Sequence, residues 1–182
     1  MAKLYNEISE SLKSFIEQQK IFFVATATAD GRINLSPKGG DYLRVIDETR
    51  LIWLNLTGSG NETAAHMQIH NRITIMFCSF VDNPMILRLY GKGEILHEDS
   101  PAWPGLITRF PANTGARQIF DITIDAVQTS CGFQVPFYEY RGERDTLDKW
   151  SEKKGRDGIR QYWQETNSLS LDGLPTGISS QP

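Results

Sequence analysis

"IFFVATATADGRINLSPKGG", residues 21–40, decides how the chain folds. Residues 21–29 are rich in β-branched and aromatic side chains and predict a strand. Asp30-Gly31 is a tight-turn signal, because glycine accepts positive φ without steric cost. Residues 32–36 return as the partner strand, with Ile33 and Leu35 alternating with polar residues as in a half-buried strand. Pro37 then ends the pairing, Lys38 follows, and Gly39 and Gly40 bare the backbone. Proline removes a ladder donor and glycine weakens a strand, so this stretch costs the sheet stability. A lysine beside naked backbone suits a bound anion, and it equally suits a solvated turn.

The same alternation recurs on both sides of this hairpin. Leu4, Ile8, Leu12, Phe15 and Ile16 fall at helical spacing and predict an amphipathic helix over 3–19. "YLRVI" (42–46) and "RLIWLNL" (50–56) predict two more strands joined by a polar turn, placed in one meander with the hairpin. "RITIMFCSF" (72–80) and "MILRLYGKGEIL" (85–96) follow, the second with a glycine bend of the kind barrels use. "SPAWPGLITRF" (100–110) predicts a short helix capped by Ser100, with Pro101 in its first turn. "IFDITIDAVQTS" (119–130) is a further alternating strand. Residues 143–167 predict one or two helices broken near Gly155 to Gly158, and the tail from 168 reads as loop. Short strands joined by tight turns, with helices late in the chain, indicate a mainly β protein, an antiparallel barrel with peripheral helices. One domain over 1–182 is expected, with a helical extension and tail from about residue 141.

Composition narrows the function classes. Nineteen Lys and Arg against 22 Asp and Glu give a net charge of −3, and the basic residues are interspersed with acidic ones. No nucleic-acid footprint results. Cys78 and Cys131 lack metal-knuckle spacing, so neither a disulfide framework nor a structural zinc is expected. No stretch has the apolar core of a signal peptide or the length of a membrane span, which predicts a cytoplasmic protein without membrane partners.

Four constellations carry possible chemistry. "LNLTGSGNETAAH" (54–66) is a glycine loop opening into a helix, either an anion site with Ser59, Asn61 and Thr63 as added donors, or a plain capped turn. Together with Lys38 it can close on one phosphate, with Trp53 beside a flat ring. His66 and His70 lie one helical turn apart, but a metal needs a third ligand and only His97 remains as a histidine, so no metal is expected. Cys131 reads as a buried cysteine ahead of a glycine bend, since no histidine follows it. Arg88, amid apolar residues, either snorkels to the surface or aims an anion contact into a site.

The order of these stretches resembles the pyridoxamine 5′-phosphate oxidase-like family of FMN-binding split barrels. The likeness is carried by "FFVATATADGRINLSPKGG", "LIWLNLTGSGNETAAHM", "NRITIMF" and "LRLYGKGEI", over roughly residues 5–100. It implies an antiparallel split β-barrel, a homodimer and an FMN-dependent oxidoreductase acting on a small molecule. A non-catalytic flavin, heme or deazaflavin binder is the alternative. The cofactor-binding set it implies is Ser36, Pro37, Lys38, Gly39, Trp53, Leu54, Asn55, Ser59, Gly60, Asn61, Thr63 and Arg88, with no catalytic residue assigned. Lys38 and Ser59 fall on the family's phosphate positions, and Asn55 falls where a polar residue meets the ring. The two positions after Ser59, basic in authentic oxidases, are Gly60 and Asn61 here. No arginine follows Arg160, whereas authentic oxidases end in a segment with arginine and tryptophan that grips the substrate. Poor turnover of pyridoxamine 5′-phosphate is therefore expected.

Overall fold

The computed structural model describes residues 2–178. Its elements run β1 (Lys3–Tyr5), α1 (Glu10–Gln18), β2 (Ile21–Thr26), β3 (Asn34–Gly39), β4 (Leu43–Val45) and β5 (Arg50–Leu56). They continue as α2 (Glu62–Ile69), β6 (Arg72–Cys78), β7 (Ile86–Leu96), α3 (Trp103–Ile107), β8 (Ala116–Ser130) and α4 (Thr146–Thr166). One antiparallel sheet, in the order β3-β2-β6-β7-β8-β5-β4, curls into a split barrel, and β1 adds to β8. β3 and β5 therefore do not share a meander. They lie toward opposite ends of the sheet order, and only its curl brings them face to face.

The N-terminal segment divides where a single helix was expected. Lys3–Tyr5 pairs with β8, and Ser9 starts α1 by accepting a hydrogen bond from the Leu12 amide at 3.4 Å. Leu12, Phe15 and Ile16 then bury one face of α1 against the barrel. β3 also departs from its expected course. Pairing with β2 runs on through Pro37 and Lys38 to Gly39. β3 is an edge strand, so a proline there forfeits no bond on its free side. The facing is inverted as well. Ile33 and Leu35 are exposed, while Asn34, Ser36 and Lys38 are the half-buried side. A strand whose inward side chains are polar lines a cavity rather than a core.

β7 bends where its glycines fall. Its register with β8 shifts between Tyr90 and Gly91, and a Cβ at Gly91 would collide with the Thr123 carbonyl oxygen. The barrel interior is filled by Val24, Leu51, Trp53, Ile75, Leu87, Leu89, Phe120 and Ile122, all nearly or fully buried. A second cluster, with Ile52, Leu54, Trp103 and Phe110, packs α3 against the barrel. The start of α3 lies at Ala102 with Pro104 in its first turn, and Ser100 contributes only its carbonyl, which accepts from Trp103 N–H at 3.0 Å. Gly155, at φ 68°, breaks α4 into two helices. Cys131, expected to be buried, is exposed just past the end of β8. No helix among the described residues is long and apolar enough to cross a membrane.

Candidate functional site

Where the two ends of the curled sheet meet, a cleft of about 420 Å³ opens, within the usual range for a small-molecule site. β3 contributes Asn34, Ser36, Pro37, Lys38 and Gly39. β5 contributes Trp53, Leu54 and Asn55, and the following loop and helix start contribute Ser59, Gly60, Asn61 and Thr63. A buried polar chain ties these walls together. Asn34 Nδ2 donates to Thr63 Oγ1 at 3.0 Å and to Thr26 Oγ1 at 3.2 Å, and Thr26 Oγ1 lies 3.1 Å from His66 Nδ1. The two histidines are thus separated in role: His66 is buried within this chain, while His70 caps the end of α2.

The cleft is rich in donors and poor in acids. Asn55 Nδ2 donates to Asn61 Oδ1 at 3.4 Å and to Gln118 Oε1 at 3.3 Å. Asn61 Nδ2, Gln118 Nε2 and Arg117 Nε are buried without a partner in the protein. Orphaned donors are rare in folded proteins, so three of them around one cleft call for an acceptor-bearing ligand. Glu62 is the acid on the rim, and both its oxygens accept from the Leu171 amide at 3.1 Å. Asn61 does not use its side chain to cap α2, so the first amides of that helix are not covered by it.

Lys38 projects over the Trp53 ring, its Nζ 5.2 Å from the centroid. Burial, and then the like charge of Arg117, bring its ammonium down from the ordinary lysine value to about 8. Trp53 forms floor rather than flank. It is 2% exposed and stacks on Phe120 at 4.8 Å, so its ring is already engaged by the core.

Arg88 is set apart from this cleft. Leu87 and Leu89 turn into the core, so alternation places Arg88 on the opposite face of β7. There its Nη1 donates to Ser130 Oγ at 3.2 Å. Tyr42, Leu147 and Arg117 line the cleft from outside the two stretches that the sequence singles out around Lys38 and Ser59. The burial of Tyr42 pushes its phenol up, and its hydroxyl accepts from Asn113 Nδ2 at 2.8 Å. Arg117 was missed because the sequence pattern starts that strand at Ile119, which leaves 117 in a turn. β8 begins at Ala116 and turns Arg117 inward. Its neighbours Ala116 and Gln118 give no alternating apolar pattern that would have marked it.

A family model described as pyridoxamine 5′-phosphate oxidase matches residues 8–131. Among curated relatives, the pyridoxamine 5′-phosphate oxidase family protein ustO of Aspergillus flavus is 34% identical over 96% of this chain and 78% of its own length. Among solved structures, the HupZ protein of Group A Streptococcus superposes with a TM-score of 0.55 at 22% identity, covering 68% of this chain and 99% of its own. A Lactobacillus delbrueckii protein gives 0.55 at 18% identity, over 68% of this chain and 94% of its own. The two structural likenesses concern the fold alone.

Proposed function

This chain belongs to the pyridoxamine 5′-phosphate oxidase family, and from that premise we propose that it binds FMN in the β3–β5 cleft and acts as an FMN-dependent oxidoreductase on a small molecule. The observation that carries the proposal is the gathering of Lys38 with the buried, unpartnered amide donor of Asn61 in one cleft, with a second such donor on Gln118, the hydrogen-bond partner of the lining residue Asn55. An anionic, carbonyl-bearing cofactor fits that chemistry. When bound, the flavin supplies the two-electron redox chemistry. The chain binds and orients. Lys38, Ser59 and the amides opening α2 would hold the phosphate. Asn61, its Oδ1 held by Asn55 Nδ2, would present its free amide donor to a carbonyl acceptor. Trp53, braced by Phe120, keeps the floor dry and Lys38 in place.

The test is a spectrum and a titration. The purified protein is expected to carry FMN or to quench its fluorescence on addition, and a colourless protein without quenching refutes the proposal. Substrate-dependent bleaching of the bound flavin separates an oxidoreductase from a non-catalytic binder. The binder is the second reading, favoured by one observation: no lining carboxylate among the described residues is left without a partner to move a proton.

We also propose a homodimer. Ile33, just before β3, and Leu35 on its outward face are 77% and 64% exposed, and Phe133, Phe137 and Tyr138 are exposed as well. Apolar area of this kind is commonly covered by a partner. Light scattering is expected to give twice 20.6 kDa at micromolar concentration, and a monomer refutes it.

A further inference from the structure

Arg117 is an unusual residue for a barrel strand. It is 4% exposed, and among the described residues no carboxylate pairs with it. A buried cation without an anion is expensive, and burial draws this guanidinium down from its ordinary value to about 9. One nitrogen is fully committed. Nη1 donates to the Gly60 carbonyl at 3.1 Å and to Asn167 Oδ1 at 2.5 Å. Nε has no partner. The first of these bonds fixes the guanidinium against the loop between β5 and α2. That loop carries no charge of its own, since positions 58–61 are Gly58, Ser59, Gly60 and Asn61. Arg117 and Lys38 repel one another while each is stripped of water, so a shared anion relieves both.

Asn167 fixes this geometry from outside the barrel. It is fully buried at the end of α4, and its Nδ2 donates to the Gly58 carbonyl at 3.1 Å. A single side chain therefore spans from the loop to the arginine. One turn earlier, Trp163 Nε1 donates to Thr57 Oγ1 at 2.8 Å, which anchors α4 to the start of the same loop.

We infer that Arg117 is a second phosphate-binding cation of the cofactor site, supplied by β8, and that Asn167 of the C-terminal extension is the residue that positions it. The inference rests on the proposed FMN site. It makes α4 part of the binding machinery rather than a decoration on the barrel. A guanidinium offers a planar fork that a lysine cannot, so it adds directional bonds to the point charge of Lys38.

The probes are FMN and riboflavin, which differ only by the phosphate, each titrated by flavin fluorescence against the wild-type chain, Arg117→Met, Arg117→Lys and Asn167→Ala. Arg117→Met is expected to lose FMN affinity by roughly 10- to 100-fold while riboflavin affinity changes by less than about threefold. Arg117→Lys keeps the charge and loses the fork, so its FMN-to-riboflavin ratio is expected between those of wild type and Arg117→Met. Asn167→Ala leaves the cation but frees it, and is expected to lose part of the same ratio. Riboflavin binding doubles as the folding control, and if Arg117→Met does not fold, Arg117→Lys carries the decision. An unchanged ratio in the folded variants overturns this inference and leaves the FMN site standing. An equal loss for both flavins makes Arg117 a strut and overturns it too. A wild-type chain that binds neither flavin overturns the inference and the cofactor proposal together.

Discussion

Lys38→Ala is expected to lower FMN affinity by roughly 10- to 150-fold, the worth of a charge-assisted hydrogen bond of about 1.5–3 kcal/mol. Riboflavin affinity should hardly move, because only the phosphate meets the ammonium. The lysine is half-buried on the inward side of β3, so no neighbouring surface cation substitutes for it. Its proton gives the site a pH signature with a defined sign. In the free protein burial, and then Arg117, bring Lys38 to about 8. A bound phosphate dianion pulls that value back up. Above pH 8 the free protein has lost the proton that the complex holds, so binding must take one up. Wild-type affinity then falls with rising pH, by at most about tenfold per unit. Below about pH 6 the phosphate gains a proton and affinity weakens again. Lys38→Ala should shrink the fall between pH 8 and 9, leaving only the part that Arg117, drawn down to about 9, brings near pH 9. A wild-type profile that stays flat from pH 7 to 9.5 would take Lys38 out of the phosphate site.

Trp53→Ala is expected to cost about 3–5 kcal/mol of unfolding free energy, the usual range for emptying a large aromatic site. Trp53 stacks on Phe120 at 4.8 Å and meets Phe22 edge-on at 6.0 Å, and Phe22 in turn touches Phe77 at 5.9 Å. Those rings lie between the barrel core and the floor of the cleft, so they cannot close over the void without moving Lys38. The loss should lower the thermal midpoint by roughly 6–20 °C for a chain of this size. Trp53→Phe keeps an aromatic ring against Phe120 and should cost less. Denaturant unfolding with both variants measures this. A midpoint for Trp53→Ala within error of wild type would mean that the stack bears no weight.

The class of fold and most of its strands are legible in local sequence. Period-two alternation in "RITIMFCSF" and the stretch from Ile119 marks strands that face the core on one side, the unbroken apolar run of "RLIWLNL" marks one buried on both faces, and the glycines of "LYGKG" mark a bend because no side chain fits there. The residues Lys38, Trp53, Asn55, Ser59 and Asn61 also stand out individually by their chemistry, and they line one cleft. What alternation does not carry is which face looks inward. Ile33 and Leu35 have the period of a half-buried strand, yet both are exposed, Ile33 just before β3 and Leu35 on its outward side. The period is symmetric between faces, and the choice is made by what lies across the sheet.

The tertiary structure alone decided the rest, and for one physical reason: long-range contacts leave no local period. Pro37 stays in the ladder because β3 is an edge, a fact about sheet order rather than about proline. The meeting of β3 with β5 follows from sheet curl, which no stretch of residues encodes by itself. Arg117 and Asn167 lie 50 positions apart and hold one loop between them. The sequence by itself determined a β-rich chain with a cation and a glycine loop suited to an anion. Only the folded barrel decided that a second, buried cation stands beside that loop, because the desolvation that makes Arg117 notable exists nowhere but in the packed structure.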